Sequence, residues 1–245
     1  MEPYEMIERR TPGGHTAWMR ARLSTNDGAV AQAILGDDEY RLASAYPLSG
    51  WAIDIGAHIG TVAIALALDN PDLRVVAVEA LPENAELIAA NIEHNGLGER
   101  VFLASAGATD EDEADVSVTY NYQSVDLYRG GAVDPAYLSQ CRYVGNIFQY
   151  DGLNTQVSDE VTVPGLSLGS IIRRHRMRRV ALLKIDCEGC EWQFLTSPAV
   201  AKVERIVGEY HDAKEFSDLV AMLEPTHRVE RWTDGTVGLF GAVAR

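Results

Sequence analysis

Short apolar runs alternate along this chain with longer segments that have the spacing of amphipathic helices. The runs that predict buried strands are residues 51–55, 74–78, 101–104, 180–186 and 203–209. Helices are predicted at residues 59–68, 82–94, 167–174, 188–195 and 213–223. Strands that alternate with helices are typical of a parallel, doubly wound sheet with right-handed crossovers. The pattern therefore predicts an α/β fold.

The C-terminal and central parts of the chain depart from this alternation. Asp234-Gly235 lies between apolar runs at 227–232 and 236–243, which is a strong signal for an antiparallel hairpin. A short strand is predicted at 116–120. Residues 121–159 show no sustained period, and a segment of that length is typical of a functional lid or insertion. Its aromatic residues either line a substrate pocket or pin the segment to the core.

The N-terminal part is predicted to be an addition to the main sheet. Residues 1–17 are predicted to be irregular, followed by a strand at 18–23 and a short helix that ends at Leu35. We expect residues 1–48 to form an appendage packed on the sheet. On this interpretation residues 1–245 form a single domain, a length that buries a sizeable core.

Composition narrows the choice of partner. Acidic residues outnumber basic ones by 36 to 21, which gives a net charge of −15. Such a surface repels phosphate backbones, so a nucleic-acid substrate is disfavoured. The basic run at 173–179 is interpreted as the solvated end of a helix, where cations suit the helix dipole. No apolar run is long enough to span a bilayer, and the first ten residues lack the apolar region of a signal peptide.

The cysteines favour a reducing compartment. Three cysteines in a chain of 245 residues do not predict a disulfide framework, so we expect a cytoplasmic protein. Cys187 and Cys190 have the spacing of a redox or zinc motif, but the sequence contains no second such pair. A function for these cysteines is therefore not predicted.

A glycine-containing turn after the first core strand predicts a nucleoside site. Gly56 and Gly60 separate the strand at 51–55 from the following helix, so backbone amides meet at a helix N-terminus. Glu79 ends the next strand, where a carboxylate can accept hydrogen bonds from both ribose hydroxyls. The turn lacks the Gly-x-Gly-x-x-Gly pattern, so a dinucleotide is a weak interpretation.

Several motifs resemble those of the FkbM family of methyltransferases. The turn Asp54-Ile-Gly-Ala-His-Ile-Gly60 is similar to the glycine motif of class I enzymes that use S-adenosylmethionine. The family resemblance is carried by Leu182-Leu-Lys-Ile-Asp-Cys-Glu-Gly-Cys-Glu-Trp192, Leu166-Ser-Leu168, Ile171-Ile172, Val207-Gly-Glu-Tyr-His211, Leu81-Pro-Glu-Asn84, Asn91 and Asn95-Gly96. It runs from about Tyr40 to the C-terminus. It implies a seven-stranded class I fold and methylation of a hydroxyl on a sugar, polyketide or other small molecule.

The resemblance also implies which residues bind the cofactor. The glycine turn would hold the methionine end, Glu79 the ribose, and the residues after the third strand the adenine. The expected cofactor-binding residues are Asp54, Gly56, Ala57, His58, Gly60, Thr61, Glu79, Ala80, Ser105, Ala106 and Asp186. The chain departs from the family at Cys187 and Cys190, where small or aliphatic residues are usual, at Gly169, where an acid is common, and at His58, where Asn is frequent.

The catalytic residues are expected at the ends of two neighbouring strands. Lys184 and Asp186 are two apart, as are Glu209 and His211, so each pair shares a face of its strand. A hydroxyl acceptor needs a base to take its proton, and histidine has a suitable ordinary pKa near 6.5. His211 is thus the predicted base, with Asp186 as the rival. Lys184 is either a catalytic cation or half of a structural ion pair.

Other functions remain open. No metal is assigned, but Asp186, Glu188, Glu209 and His211 are oxygen and nitrogen ligands that suit Mg²⁺, which makes a metal-assisted methyltransferase the nearest alternative. A non-catalytic protein that binds S-adenosylmethionine is a second, and a nucleic-acid methyltransferase is a third. The expected partner is a small-molecule hydroxyl acceptor, with no nucleic acid and no membrane. A homodimer is left open.

Overall fold

The computed structural model describes residues 4–23, 25, 27–110, 115–120, 159–187, 189–211, 216–233 and 237–245. The strands in these ranges are β1 (Tyr4–Arg10), β2 (Thr16–Arg22), β3 (Gly50–Ile55), β4 (Leu73–Glu79), β5 (Val101–Ser105), β6 (Gly107–Ala108), β7 (Asp115–Tyr120), β8 (Asp159–Leu166), β9 (Leu182–Ile185), β10 (Arg205–Tyr210), β11 (His227–Arg231) and β12 (Gly238–Ala244). The helices are α1 (Asp27–Ala31), α2 (Thr61–Asp69), α3 (Pro82–His94), α4 (Leu168–Arg174), α5 (Glu191–Phe194) and α6 (Phe216–Leu223). Single helical turns lie at Gln32–Gly36, Leu42–Ala45 and Pro198–Lys202.

The central sheet has seven strands in the order β11-β12-β10-β9-β3-β4-β5. β10, β9, β3, β4 and β5 are parallel, whereas β12 runs antiparallel to both of its neighbours. The predicted doubly wound, mostly parallel seven-stranded sheet with a C-terminal antiparallel hairpin is confirmed. The winding direction reverses between β3 and β9, so the crevice beyond their carboxyl ends is where a ligand is expected.

Side chains of each strand alternate between two hydrophobic cores. Ile53 and Ile55 of β3 face the core that is closed by α4, α5 and α6. Ala52 faces the opposite core, which is closed by α2 and α3 and by buried residues of the N-terminal hairpin. Helices therefore cover both faces, and polar groups at the carboxyl edge of the sheet remain available to a ligand.

The N-terminal residues are more regular than predicted. The expectation that residues 1–17 are irregular is wrong, because β1 pairs with β2 in an antiparallel hairpin from Tyr4↔Arg22 to Arg10↔Thr16. β1 carries polar or charged side chains on both faces, and Ile7 is its one buried residue among those described. A strand with so little apolar content gives no periodic signal on its own.

Asparagines of α3 fix this hairpin to the rest of the molecule. Asn91 is fully buried, and its Oδ1 accepts from the backbone N–H of Arg20 at 2.6 Å. Its Nδ2 donates to the carbonyl of Ile59 in the glycine turn at 2.9 Å. Asn84 accepts from Arg22, and Asn95 binds both backbone groups of Trp18. The asparagines that carry part of the family resemblance thus join the N-terminal hairpin to the cofactor side of the fold.

A second, smaller sheet has the strand order β6-β8-β7. β8 was not predicted, because Pro164-Gly165 interrupts its alternation and its partner β7 is distant in sequence. Assigning residue 159 to an irregular segment is therefore wrong. The remainder of the expected lid, residues 121–158, lies outside the described residues.

Two other expectations concern helices. The helix predicted at 188–195 is only the single turn α5, and Glu188 lies outside the described residues. α3 has the predicted bounds, because Pro82 begins it and Asn95-Gly96 follows its last residue, with Gly96 at φ +67°. No helix in the described ranges is long and apolar enough to cross a membrane.

Candidate active site

The glycine turn lies directly against the end of β9. Gly56 has φ +68°, and a Cβ at this position would lie 1.8 Å from the carbonyl oxygen of Asp186. Glycine is therefore required at Gly56 by close backbone packing, besides any approach of a ligand. Gly60 has φ +88° and precedes the first residue of α2, so α2 begins directly after the turn. The amides of Gly56 and Ala57 donate to the carbonyl of Val78, which fixes the turn against β4.

Glu79 ends β4 beside this turn. Its carboxylate accepts from the backbone N–H of His58 at 2.8 Å and from that of Leu81 at 2.9 Å. Burial raises the pKa of Glu79, and these two hydrogen bonds oppose the shift. Each carboxylate oxygen retains a second lone pair, so the fixed carboxylate can still accept from two ribose hydroxyls.

The adenine side predicted from the sequence lies next to Glu79. Ser105 is paired with Glu79 across β4 and β5, and the N–H of Ala106 donates to the carbonyl of Glu79 at 2.9 Å. Ser105 is exposed, Ala106 is buried and Ala80 is partly buried. These residues form a small, mostly apolar surface beside a carboxylate, which suits a purine ring and its ribose.

Two polar atoms near the turn are available for a ligand. The Oγ1 of Thr61 and the Nδ1 of His58 are buried and have no hydrogen-bond partner among the described residues. Buried polar atoms usually have partners, so these two fit a polar ligand at this place. Together with Glu79 they fit the predicted cofactor. Ala57, which precedes His58 in the turn, is also buried.

The side chain of His58 also faces the N-terminal part of the chain. Its Nε2 lies 2.9 Å from Oδ1 of Asp27, which is fully buried and bonded to Arg22. Burial opposes ionisation of Asp27, but hydrogen bonds from His58 and Arg22 outweigh burial and hold its pKa below the ordinary range. The predicted cofactor residue His58 therefore links the glycine turn to α1.

Asp54 and Lys184 are buried and stabilise the glycine turn from inside the fold. Asp54 is fully buried, and its Oδ2 accepts from the N–H of Ala63 at 3.1 Å. Nζ of Lys184 lies 3.4 Å from Oδ1 of Asp54 and donates to the carbonyls of Gly56 at 2.8 Å and Ile55 at 3.2 Å. Burial lowers the pKa of Lys184, but the charges of Asp54 and Asp186 outweigh it and raise the value. Lys184 is thus a buried cation bonded to the backbone of the turn.

The predicted catalytic residues converge at the ends of β9 and β10. Nε2 of His211 lies 3.9 Å from Oδ1 of Asp186 and 3.7 Å from Oε2 of Glu209. Nζ of Lys184 lies 4.0 Å from Oδ2 of Asp186. The structure therefore brings together Asp186, His211, Lys184 and Glu209, the four residues expected from the spacing along the two strands.

Glu191 adds a contact that the sequence did not predict. Its Oε1 lies 2.6 Å from Nδ1 of His211, and its side chain is fully buried. The indole N–H of Trp192 donates to the backbone carbonyl of His211 at 3.0 Å, so the histidine is held from two sides. A carboxylate that accepts from Nδ1–H selects the tautomer whose Nε2 can accept a proton. The sequence carried no clear signal for this role, because Glu191 was predicted to lie inside a helix at 188–195, whereas α5 begins at this residue.

Tyr40 was also missed. Its buried hydroxyl donates to Oδ2 of Asp186 at 2.7 Å, although 146 residues separate the two in sequence. Burial raises the pKa of Asp186, but the charges of Lys184 and His211 and the Tyr40 hydrogen bond outweigh it, so the pKa of Asp186 is below its ordinary value. Asp186 is therefore an ionised carboxylate with a fixed orientation.

Glu39 precedes Tyr40 and titrates near neutrality. Burial and the charge of Asp186 raise its pKa from 4.5 to about 7, against the opposing charge of Lys184. The native state thus keeps a proton that the unfolded chain loses near pH 4.5. Because the native state binds more protons in this window, stability falls as pH rises from about 4.5 to about 7 and changes no further above it.

Glu39→Gln removes this titration and is expected to stabilise the protein at high pH. After allowance for solvent screening of a half-buried group, we expect a gain of about 1–2 kcal/mol near pH 8 that vanishes near pH 4. Urea unfolding across this pH range measures the difference. Glu230→Gln, on the exposed side of β11, is the matched control. A gain that does not depend on pH would contradict the assignment.

Cys187 and Cys190 form a disulfide, which the sequence did not predict. Their Cα atoms are 5.4 Å apart, and the bond closes the turn that separates Asp186 from Glu191. The sequence predicted no disulfide framework, and the structure contains this single pair among the described residues. The third cysteine, Cys141, lies outside the described residues.

Comparison with known families gives a match over most of the chain. The family model described as the Methyltransferase FkbM domain matches residues 54–232, from the glycine turn to the C-terminal hairpin. The chain belongs to the FkbM family of methyltransferases. The predicted family, the enzyme class and the cofactor S-adenosylmethionine are confirmed.

One curated relative is a much longer protein, and this chain matches only part of it. The AMB antimetabolite synthetase AmbE of Pseudomonas aeruginosa is 27% identical over 230 residues, which is 85% of this chain and 10% of the synthetase. The chain therefore spans about a tenth of the length of this relative.

Solved structures give weaker similarity. An O-methyltransferase from Bacillus cereus in complex with S-adenosylhomocysteine (SAH) has a TM-score of 0.49 and 17% identity, covering 86% of this chain and 80% of its own. A precorrin-6y C5,15-methyltransferase from Geobacter metallireducens has a TM-score of 0.46 and 15% identity, covering 84% and 87%. Neither similarity bears on the substrate or the mechanism of this chain.

Proposed function

From its membership of the FkbM family, we propose that this chain methylates a hydroxyl of a small molecule, with His211 as the general base. The observation that carries the proposal is the 2.6 Å contact between Glu191 and His211, beside the ionised carboxylate of Asp186. A histidine oriented by a buried carboxylate is an arrangement that accepts a proton from a hydroxyl. S-adenosylmethionine, when bound, supplies an electrophilic methyl group on a positively charged sulfur.

His211 takes up the proton of the acceptor hydroxyl as the oxygen attacks. Nδ1–H donates to Glu191, so Nε2 is the accepting nitrogen, on the side of Asp186 and Glu209. The imidazolium that forms lies among three carboxylates, which stabilise its charge. Its proton then passes to water when the products leave.

Asp186 has a different role in this proposal. A carboxylate whose pKa is held below its ordinary value is a weak base, so it is less suited than His211 to take a proton from a hydroxyl. It is well suited to accept a hydrogen bond from the acceptor or to face the positive sulfur. Tyr40 and Lys184 fix its position, and orientation of this kind can contribute several kcal/mol to catalysis, roughly 7–11 in the best cases.

The negative charge of the site favours an acceptor that is not itself negatively charged. Asp186, Glu209 and Glu39 line this edge, and Lys184 is buried and engaged with the backbone. We expect a neutral or positively charged acceptor, since a phosphorylated one would meet repulsion. A small natural product also agrees with the similarity to part of an antimetabolite synthetase.

Product analysis tests the proposal. The protein is incubated with S-adenosylmethionine and a panel of polyols, aminosugars and hydroxylated amino acids, together with amine and thiol analogues of the same skeletons. We expect SAH to form with a hydroxyl acceptor and the product to be an O-methyl ether. Methylation that proceeds only on nitrogen, carbon or RNA would contradict it.

A metal-assisted reaction is the second candidate. Ligand atoms of Asp186, Glu191 and His211 lie within 4.8 Å of one another, and Glu209 lies beside them. A histidine whose other ring nitrogen meets a carboxylate is also typical of a metal ligand. Loss of activity on dialysis against EDTA, with recovery on adding Mg²⁺ or Zn²⁺, would favour this candidate. Full activity after dialysis would favour His211 as a base.

A further inference from the structure

The turn between β9 and α5 carries the one feature of the family signature that methyl transfer does not explain. Cys187 and Cys190 stand where the family usually has small or aliphatic residues, and the structure joins them in a disulfide. In a chain without other paired cysteines among the described residues, a single Cys-x-x-Cys disulfide is typical of redox exchange. Its short loop stabilises a fold less than a long loop would.

We propose that Cys187 and Cys190 form a thiol–disulfide exchange site that controls the methyl-transfer site. The partner is a protein dithiol or its disulfide. The expected effect on activity rests on the proposed function, whereas the thiol–disulfide exchange itself does not.

The two cysteines differ in access as such a site requires. Cys190 is 3% exposed and packs in the hydrophobic core, whereas Cys187 is partly exposed. An incoming thiolate therefore reaches the sulfur of Cys187, and Cys190 is the leaving group. Cys187 follows the carboxyl end of β9, at the edge of the sheet where a partner can approach.

The chemistry balances with the partner dithiol as the reductant. Its thiolate attacks Sγ of Cys187, a mixed disulfide forms, and the Cys187–Cys190 bond breaks to release Cys190 as a thiolate that takes up a proton. The second partner thiol then attacks the partner sulfur of the mixed disulfide and releases Cys187, which is also protonated. The cysteine pair gains two electrons, and the partner becomes a disulfide.

The turn contacts both halves of the active site. On one side, the carbonyl of Asp186 and the Cα of Cys187 lie 1.8 Å and 3.4 Å from where a Cβ on Gly56 would be, so the turn packs on the glycine turn. On the other side, the N–H of Cys187 donates to Oε1 of Glu191 at 3.5 Å. The same Oε1 contacts Nδ1 of His211.

Breaking the disulfide displaces these contacts. Two thiols must separate from bonding distance to van der Waals contact, and Cys190 is packed in the core, so Cys187 moves. Its movement shifts the hydrogen bond to Glu191 and the packing of this segment against Gly56. A small displacement of this kind lowers catalysis strongly, and we expect kcat of the reduced enzyme to fall about tenfold or more. The oxidised form is the active form.

The experiment uses the full chain with Cys141→Ser, so that only this pair exchanges. The protein is equilibrated with dithiothreitol or its oxidised form, thiols are counted by alkylation and mass spectrometry, and kcat and the Kd for SAH are measured in both states. We expect reduction of the pair, a reversible fall in kcat and a weaker Kd. The variant that also carries Cys187→Ser and Cys190→Ser is expected to give one kcat and one Kd, whichever reagent is present.

The outcomes separate the two proposals. A pair that resists dithiothreitol, or a reduced form with unchanged kcat and Kd, would overturn the exchange site. A double-serine variant that still responds to dithiothreitol would also overturn it. If no acceptor yields SAH in either state, the proposed function fails, while thiol counts and the change in Kd still decide the exchange site.

Discussion

His211→Asn is expected to lower kcat by about 10²–10⁴-fold, because asparagine cannot accept the proton of the acceptor hydroxyl. Affinity for S-adenosylmethionine should change little, since His211 is not among the predicted cofactor-binding residues. Stopped assays of SAH formation at saturating acceptor measure kcat, and calorimetry measures the cofactor Kd. A variant that keeps full kcat would show that His211 is not the base.

Glu191→Gln separates positioning of the histidine from catalysis. Removing a negative charge 2.6 Å from Nδ1 lowers the pKa of the imidazole, so the acid limb of the kcat/KM profile should move to lower pH. A purely structural role for Glu191 would lower stability without moving this limb. Asp186→Asn is the companion variant. It removes a carboxylate 3.9 Å from Nε2 of His211, so the limb should persist but move in the same direction if Asp186 is not the base.

The second large effect is expected for Lys184→Met. This variant leaves Asp54, which is fully buried, without its cation, and breaking a buried pair in this way costs about 3–5 kcal/mol. It also removes the bonds from Nζ to the carbonyls of Ile55 and Gly56. We therefore expect a large loss in the free energy of unfolding, measured with urea.

The double variant Asp54→Asn/Lys184→Met is the control. The double variant has no unpaired charge at position 54, although Asp186 still loses the charge of Lys184. Part of the lost stability should therefore return, with a coupling energy of about 1–3 kcal/mol in the double-mutant cycle. If Lys184→Met keeps wild-type stability and loses kcat, Lys184 is a catalytic cation and the structural interpretation is wrong.

The sequence predicted the central sheet well because each of its strands has a pattern that can be recognised from neighbouring residues alone. Each core strand is an apolar run bounded by glycine or polar residues, and the ends of α3 are marked by Pro82 and by Asn95-Gly96. β1 was missed because it is largely polar and depends on pairing with β2. β8 was missed because its partner lies across residues 121–158.

The site was predictable where it follows from strand geometry. Lys184 and Asp186 lie two apart at the end of β9, as Glu209 and His211 do at the end of β10, so the convergence of these side chains was predicted. Tyr40 and Glu39 were not, because they reach Asp186 from a segment interpreted as an appendage. Glu191 was predicted only as part of the helix at 188–195, and its contact with His211 depends on how short α5 is.

The most direct test of the account compares two ligands by calorimetry. Wild-type protein and Glu79→Gln are each titrated with SAH and with its 2′-deoxy analogue. Because hydrogen bonds to a charged group contribute about 1.5–3 kcal/mol, we expect wild-type protein to bind the deoxy analogue about 10–100-fold more weakly than SAH, and Glu79→Gln to show little preference. Equal affinity of wild-type protein for both ligands, or no binding of SAH, would contradict the placement of the cofactor at the carboxyl edge between the glycine turn and Glu79.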